Sequence, residues 1–477
     1  MVGEEFHSRT YLFYILFTVF FLFLSGCQAT LSTFLPPLEE EGEVFLYTEP
    51  FPQEAERLRF TLESVLAISS DGRAFPLTLS LSEIKASDTR RQRLLATGRL
   101  LPGAYVGFLF KVKKASLRTE GGEADLLVPD TPVRIDLSMN VTRKRATVIS
   151  LLFRYKESIA DRFSFSPVFS MFIPSRPILS LTGYVTNTGS NNITVFDKKL
   201  GQVTGVIVMG SRPAGIALDQ RSKRAYVAIS GEDEVDAIDV ATGEVVDKIK
   251  LSGGDRPREL ALTPDGRDLL VVNTGSNTVS FVDPLSLLEL ARVRVGNGPT
   301  SLLIDSTGRK GYVFNTLSST LSVLDIPNRV GVGTIATDPG PLHGDFNRRG
   351  DRLYIIHEMS SYLMALDPPV FSSPKRFQVR MGANAIRVDK RTDLVYLGRK
   401  NDRYAEVYDP LSFSVVDTIQ TGVGDVTTMT IDGEENNLYL VNAGTKTVMV
   451  SNLISRKTLF EIDVGEEPYG ITVMGEK

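Results

Sequence analysis

Apolar and polar residues alternate in short runs along most of this chain, from Val44 to the C-terminus. Pairs such as Asp-Gly, Pro-Gly and Gly-Gly separate many of these runs. Because successive side chains of a β-strand point to opposite faces, alternation with a period of two predicts strands. The segment 11–24, YLFYILFTVFFLFL, differs because it is apolar almost throughout. The pattern therefore predicts an all-β protein behind an apolar N-terminal segment.

The first alternating region, 44–169, contains runs such as VFLYTE (44–49) and VRIDLSMNV (133–141). About seven such strands over roughly 125 residues predict a β-sandwich. The region resembles an uncharacterised family of bacterial lipoprotein domains, and this resemblance implies a prealbumin-like sandwich without a known activity. The matching residues are Ala96, Thr97, Gly98, Leu101, Pro102, Gly103, Tyr105, Val128 and Pro129. No cluster of His, Cys or paired acids occurs in this region, so we expect a structural or adhesive role for it.

The second region, 178–477, is a tandem repeat with a spacing of 42 to 44 residues. Its in-phase segments are YVTN (184), YVAI (226), LVVN (270), YVFN (312), YIIH (354), YLGR (396) and YLVN (439). A period of this length with four short strands, a to d, predicts a β-propeller. The first unit begins at strand b, and the segment 467–473 is a spare strand a. We expect this segment to pair with the first blade and close a ring of seven, rather than leave an open β-solenoid.

These repeats resemble the YVTN family of β-propellers, and Tyr184–Asn187 spells the signature in full. The resemblance implies a seven-bladed propeller.

Candidate site residues come from positions that break the repeat. Strand a of most repeats starts at a proline, such as Pro257 or Pro341, and the next two positions should line the mouth of the central channel. Most repeats carry small or neutral residues there, so an exception is not needed for packing and is predicted to bind a partner. These exceptions are Arg258, Glu259, His343, Asn384 and Tyr469.

Histidine is scarce, and His357 replaces the Asn of YVTN in the same blade as His343. Two histidines on adjacent strands can bind a metal or act as acid and base. A metal needs a third ligand, for which Asp338, Asp345 and Glu358 are the nearby candidates in the sequence. We predict no metal site, and no catalytic residue is assigned.

The apolar segment ends in Leu24-Ser25-Gly26-Cys27, which contains the only cysteine of the chain. The segment is shorter than the ~20 residues of a membrane-spanning helix and suits a signal peptide. The tetrapeptide resembles the bacterial lipobox. This implies a signal peptide over 1–26, lipidation of Cys27, and a membrane partner reached through acyl chains. Under a sorting rule known for such lipoproteins, Gln28 favours the outer membrane. The alternative is an uncleaved signal anchor, since Glu4 and Glu5 make the start of the chain acidic.

The segment 27–43 is rich in proline and acidic residues, which predicts a flexible tether. The chain has a formal net charge of −4, and nothing indicates a nucleic-acid partner. No phosphate-binding loop, H-E-x-x-H or C-x-x-C motif is present, and no cofactor is predicted. The sequence therefore favours a cell-envelope scaffold that binds another envelope protein or an extracellular ligand. The alternative is an enzyme of the lactonase or lyase type with its site at the channel mouth.

Overall fold

The computed structural model describes residues 35–86, 89–161, 163–368 and 374–476. The predicted signal peptide, the lipobox and Cys27 lie outside the described residues. Within the described ranges, no helix combines the length and apolar character needed to cross a membrane. Residues Pro36–Lys477 group into one compact unit, which holds both alternating regions of the sequence.

The first region forms one ten-stranded sheet and a short hairpin among the described residues. Its strands are β1 (Gly42–Thr48), β2 (Leu58–Ser69), β3 (Ala74–Leu79), β4 (Glu83–Lys85), β5 (Arg93–Leu100), β6 (Gly103–Thr119), β7 (Gly122–Leu126), β8 (Val133–Val141), β9 (Ala146–Phe153), β10 (Ile159–Ala160), β11 (Ser164–Phe165) and β12 (Phe169–Phe172). One α-helical turn spans Tyr155–Ser158, and 3₁₀ turns span Gln53–Ala55 and Leu179–Leu181. The strand order is β12-β9-β1-β5-β3-β2-β6-β7, with β4 on β2 and β8 on β6. Strands β10 and β11 form the hairpin.

Strand β3 pairs with both β2 and β5, so the two halves of this sheet are continuous and wrap around one hydrophobic core. Aromatic rings fill that core, and the rings of Phe51 and Phe153 stack with their centroids 4.5 Å apart. Burial of such a ring contributes about 1.5–3 kcal/mol. The sheet has more strands than the roughly seven that alternation predicted, because strands as short as β4 cannot display a period of two.

The predicted tether and the first strand overlap. Strand β1 begins at Gly42, inside the range 27–43 that was assigned to the tether. Upstream of it Leu38 is buried, and the amide of Lys144 donates a hydrogen bond to the carbonyl of Glu41 at 2.8 Å. The last residues of the predicted spacer therefore belong to the sheet, because their backbone finds partners there.

The second region forms seven antiparallel sheets of four strands each, which confirms the predicted propeller. Blade 1 begins with β13 (Thr182–Asn187), β14 (Asn192–Asp197) and β15 (Gln202–Val208). Blade 2 is β16 (Pro213–Asp219), β17 (Arg224–Ile229), β18 (Glu234–Asp239) and β19 (Glu244–Lys250). Blade 3 is β20 (Pro257–Leu262), β21 (Leu269–Asn273), β22 (Thr278–Val282) and β23 (Glu289–Arg294). Blade 4 is β24 (Pro299–Ile304), β25 (Lys310–Asn315), β26 (Thr320–Asp325) and β27 (Val330–Ala336).

The remaining blades follow the same order from the innermost strand a to the outermost strand d. Blade 5 is β28 (Pro341–Phe346), β29 (Leu353–His357), β30 (Tyr362–Leu366) and β31 (Lys375–Gln378). Blade 6 is β32 (Ala383–Val388), β33 (Val395–Arg399), β34 (Asp402–Tyr408) and β35 (Val415–Gly424). Blade 7 is β36 (Val426–Asp432), β37 (Asn437–Asn442), β38 (Thr447–Asn452) and β39 (Thr458–Asp463). Strand β40 (Pro468–Val473) completes blade 1.

The asparagine of the repeat holds strands b and c together inside a blade. Asn273 donates through Nδ2 to Oγ of Ser280 at 2.8 Å, and Asn315 donates in the same way to Ser322 at 2.9 Å. These asparagines are fully buried, and a buried amide requires such a partner. The asparagine that ends the repeated segment therefore links strands b and c in these blades.

The ring closes where the last strand joins the first blade. Strand β40 runs antiparallel to β13, with Thr472 opposite Tyr184. Beside this seam, the ammonium of Lys198 in blade 1 forms an ion pair with Asp432 in blade 7, and both side chains are buried. Closure gives blade 1 its fourth, innermost strand, so that all seven blades have four strands. The structure thus confirms the predicted closure and excludes the open solenoid.

The first domain packs over this seam. Phe45, Tyr47 and Val148 share a hydrophobic cluster with residues of blades 1 and 7. Charged groups surround the cluster, and Arg91 donates to a carboxylate oxygen of Asp463 at 2.6 Å. The domain therefore contacts the two blades that the closing strand joins, and leaves the channel to the propeller itself.

Candidate functional site

A β-bulge interrupts the start of the innermost strand in each blade. In blade 3 the register shifts between Pro257 and Glu259, and in blade 5 it shifts between Pro341 and His343. The other blades shift at the equivalent place. A bulge sets two residues against one and changes the direction of a side chain. The fold therefore gives the two positions after the anchor, where the candidate residues lie, a special geometry.

Two cavities occupy the channel. The larger has a volume of about 610 Å³ and is lined by Glu259, Ser301 and His343, among others. A smaller cavity of about 270 Å³ lies at the mouth and is lined by Arg258 and Tyr469, among others. The structure therefore places four of the five candidate residues on the walls of these two cavities.

Arg258 and Tyr469 contact each other across the mouth. The Nε of Arg258 donates a hydrogen bond to the hydroxyl of Tyr469 at 3.0 Å, and the guanidinium carbon lies 5.5 Å from the centre of the tyrosine ring. Arg258 belongs to blade 3 and Tyr469 to blade 1, so the contact passes over blade 2. Blade 2 carries the small Ala214 at the equivalent position, which leaves room for the contact.

Glu259 lies against the backbone of blade 2. Its Oε1 accepts a hydrogen bond from the amide of Leu260 at 3.3 Å. A Cβ atom on Gly215 would lie only 2.5 Å from this oxygen, so the close approach requires glycine at that position. Burial raises the pKa of Glu259 to about 7. The carboxyl group is therefore partly protonated at neutral pH and can donate a hydrogen bond.

His343 remains neutral in the channel. Burial lowers its pKa to about 4, and the positive charge of Arg258 contributes in the same direction. Its ring makes no hydrogen bond with any residue that the structure describes. A neutral imidazole carries one donor and one acceptor nitrogen. Both kinds of hydrogen-bonding capacity therefore remain available inside the larger cavity.

His357 occupies a different environment. It is almost completely buried in blade 5 and pairs in register with Pro341, whereas His343 pairs with Ile356. Neither ring nitrogen of His357 has a hydrogen-bond partner in the described part of the chain, and burial lowers its pKa to about 4. Among the described residues, no group of three His, Cys, Asp or Glu side chains is placed to hold a metal ion.

Asn384 joins two blades. Its Nδ2 donates to the carbonyl of Val426, the first residue of blade 7, at 2.9 Å. Ser301 makes a similar bond, from its hydroxyl to the carbonyl of Leu342 in the next blade, at 2.5 Å. Asn384 therefore bonds to the backbone of the next blade, whereas His343 makes no hydrogen bond in the described chain, and the binding role of Asn384 stays a prediction.

Sequence reasoning missed a set of exposed apolar side chains on the same end of the ring. Leu317, Met359 and Met381 are 80%, 61% and 63% exposed. Leu317 and Met359 stand in the b–c loops of blades 4 and 5, at the loop position that is glycine in blades 1 and 3 (Gly189 and Gly275). The sequence could have indicated Leu317 and Met359, because they depart from the repeat, but only the structure establishes their exposure.

No protein family model matches the chain, and no curated protein matches it. Solved structures do share its fold. Hydrazine synthase from Kuenenia stuttgartiensis is 16% identical, with a TM-score of 0.52, and the match covers 57% of this chain and 92% of that chain. A protein of unknown function from Desulfotomaculum acetoxidans is 14% identical, with a TM-score of 0.54 and coverages of 61% and 98%. A candidate 6-phosphogluconolactonase from Bacteroides uniformis is also 14% identical, with a TM-score of 0.51 and the same coverages. Identities this low establish a shared fold alone. The chain is thus a seven-bladed β-propeller with an N-terminal β-domain.

Proposed function

We propose that this protein is a lipid-anchored scaffold of the bacterial cell envelope, whose YVTN-type propeller binds another envelope protein at the channel-mouth end. The observation that carries the proposal is the set Leu317, Met359 and Met381, which we call the apolar loop set. Single exposed apolar residues are common on protein surfaces. Leu317 and Met359 lie in the b–c loops of the adjacent blades 4 and 5, and Met381 lies in the loop that follows blade 5. A group of exposed apolar residues at one end of a ring is typical of a protein-binding surface.

A second group of exposed apolar residues provides a comparison. Leu285, Leu411 and Ile454 occupy the same position of the c–d turn in blades 3, 6 and 7, two residues after Asp283, Asp409 and Asn452. They recur at one position of the repeat, in blades 3, 6 and 7. The apolar loop set departs from the repeat and is confined to blades 4 and 5 and the loop that follows them, which favours selection for contact with a partner.

Photo-crosslinking in intact cells tests the docking proposal. A photoreactive amino acid at Leu317 or Met359 should give a discrete adduct with one envelope protein, whereas the same amino acid at Leu411 should not. Met359→Glu should remove the adduct formed from position 317, because a charge opposes desolvation of the interface. Equal adducts from positions 359 and 411 would contradict the proposal.

Mass spectrometry of the mature N-terminus tests the anchor. We expect a diacylglycerol-modified Cys27 at the first position, and fractionation should place the protein in the outer membrane. An intact Met1 or an unmodified Cys27 would refute lipidation. This measurement is independent of the docking test.

An enzymatic role is the second candidate, and Glu259 and His343 favour it. One cavity holds an acid whose pKa is about 7 and a neutral imidazole. Such a pair can supply general acid and general base chemistry. Lactone hydrolysis by the purified protein, lost in Glu259→Gln and in His343→Gln, would support it. Equal rates with and without protein would exclude lactonase activity.

A further inference from the structure

The guanidinium of Arg258 is held in place without being neutralised. Its Nε bonds to the hydroxyl of Tyr469, and the side chain is exposed at the mouth. The Nη groups form no hydrogen bond or ion pair within the described chain. Other arginines face carboxylates directly, as Arg292 does with Asp255 at 2.8 Å and Arg380 with Asp402 at 2.7 Å. The Nη groups of Arg258 are therefore hydrogen-bond donors that face the solvent of the mouth cavity, and the bond to Tyr469 fixes their direction.

Among the described residues, the nearby carboxylates do not form ion pairs with the guanidinium of Arg258. Glu259, the next residue, accepts a hydrogen bond at Oε1 from the amide of Leu260, and no ion pair within 4.0 Å joins it to Arg258 in the described chain. Glu358 is paired with Lys400 at 3.1 Å. The charged residues that line the mouth cavity are two arginines, Arg212 and Arg258, and one glutamate, Glu467. The mouth cavity thus retains net positive character next to a guanidinium fork, the geometry that carboxylates prefer.

The larger cavity adjoins the mouth cavity at Thr427, which lines both. Glu259 and His343 both line it, on blades 3 and 5. A protonated carboxyl group and a neutral imidazole can each bond a hydroxyl group. The volume of about 610 Å³ falls within the range of roughly 300–1,000 Å³ that is typical of small-molecule sites.

We propose that the channel mouth binds a small hydroxylated organic acid, whose carboxylate is held by Arg258 and whose hydroxyl groups contact Glu259 and His343. Tyr469 acts as a positioning residue that fixes the guanidinium through its hydroxyl. This site lies inside the ring and does not depend on the apolar loop set, so it can exist whether or not a protein docks on the loops.

Calorimetric titration of the full-length protein in detergent, at pH 6.5, tests this proposal. The probes are gluconate, glucuronate and acetate, with methyl glucoside as the uncharged control and inorganic phosphate as the competing anion. We expect saturable binding of gluconate or glucuronate. We also expect weaker binding of acetate, which has no hydroxyl groups, and none of methyl glucoside. Binding of methyl glucoside as tight as that of gluconate would overturn the proposal, and so would preferential binding of phosphate.

Matched variants locate the site. Arg258→Ala should weaken binding by about ten-fold or more, since it removes a charge-assisted pair. Arg294→Ala removes an exposed arginine from the outer strand of the same blade and should leave affinity unchanged. Tyr469→Phe should weaken binding less than Arg258→Ala, and Glu259→Gln, which imitates the protonated acid, should retain it.

Thermal unfolding of each variant reports whether it is folded. Tyr469→Phe and Glu259→Gln change the site without changing its shape. Their affinities therefore test the proposal even if Arg258→Ala lowers stability. Equal losses of affinity in Arg258→Ala and Arg294→Ala would overturn the assignment. Absence of saturable binding of every carboxylate probe by the unmodified protein would overturn it as well.

Discussion

The seam between blades 1 and 7 and the channel mouth both contain residues that depart from the repeat. They differ in whether the protein pairs their charged side chains. At the seam, Lys198 is buried against Asp432, and Arg91 reaches Asp463 from the first domain. At the mouth, Arg258 and His343 have no carboxylate partner in the described chain. Charges that serve folding are satisfied by the protein itself, whereas those at the mouth remain available for a ligand. The comparison predicts that substitutions at the seam cost stability and that substitutions at the mouth do not.

The largest effect should come from Lys198→Met. This change leaves Asp432 buried without its partner, and breaking a buried ion pair costs about 3–5 kcal/mol. Urea denaturation should show this loss in the free energy of unfolding. The double variant Lys198→Met, Asp432→Asn should recover most of it, because no buried charge is then left alone. A loss below about 1 kcal/mol in the single variant would show that the pair does not stabilise the seam.

Acid should destabilise the protein through His357. Its pKa is about 4 in the folded chain, below the ordinary value of 6.5. The unfolded chain therefore binds a proton more readily, and stability is lost as the pH falls from 6.5 through 4. The shift corresponds to about 3 kcal/mol. His357→Leu should reduce this acid-dependent loss by that amount relative to the unmodified protein, as measured by denaturation across this pH range. Parallel pH curves for both proteins would contradict the prediction.

Glu259 should have the opposite pH dependence and a smaller effect. Its folded pKa of about 7 lies above the ordinary 4.5, so its burial is tolerated at low pH and costs stability as the pH rises from 4.5 through 7. Because the channel admits solvent, we expect Glu259→Gln to raise the free energy of unfolding by only about 1–2 kcal/mol at pH 8. At pH 4.5 the two proteins should be equally stable. A stabilisation of equal size at both pH values would exclude this explanation.

The smallest change in stability should accompany Arg258→Ala. The side chain is exposed and supports no core contact, so the free energy of unfolding should change by less than about 0.5 kcal/mol. The same variant should nevertheless lose binding of gluconate. A loss of stability comparable to that of Lys198→Met would place Arg258 with the structural residues of the seam.

Sequence reasoning predicted the propeller because each blade repeats the same local pattern. The spacing of YVTN-like segments set the number of blades, and the spare strand at 467–473 predicted the closure that pairs Thr472 with Tyr184. The first domain was harder to predict, since strands such as β4 are too short for a clear alternation and their pairing is not local. The lipobox prediction lies outside the described residues and stays a prediction.

The candidate residues were chosen from the sequence, whereas their contacts come from the structure. Departures from the repeat selected Arg258, Glu259, His343, Asn384 and Tyr469 as candidates, and the structure adds which of them find protein partners. Asn384 bonds to the next blade, whereas His343 faces the cavity without a bond to any described residue. The contact of Arg258 with Tyr469 joins residues that are 211 positions apart, and no local pattern carries that information.

The sequence by itself determined the strand pattern, the period and the number of blades, because hydrophobic alternation and turn residues act over a few neighbouring positions. The tertiary structure decided which repeat-breaking residues meet, which are buried and which stay unpaired. Those properties depend on ring closure, which brings blades 1, 2 and 3 together around one channel. Side chains far apart in the chain thereby share the same space, and their charges and hydrogen bonds are settled only there.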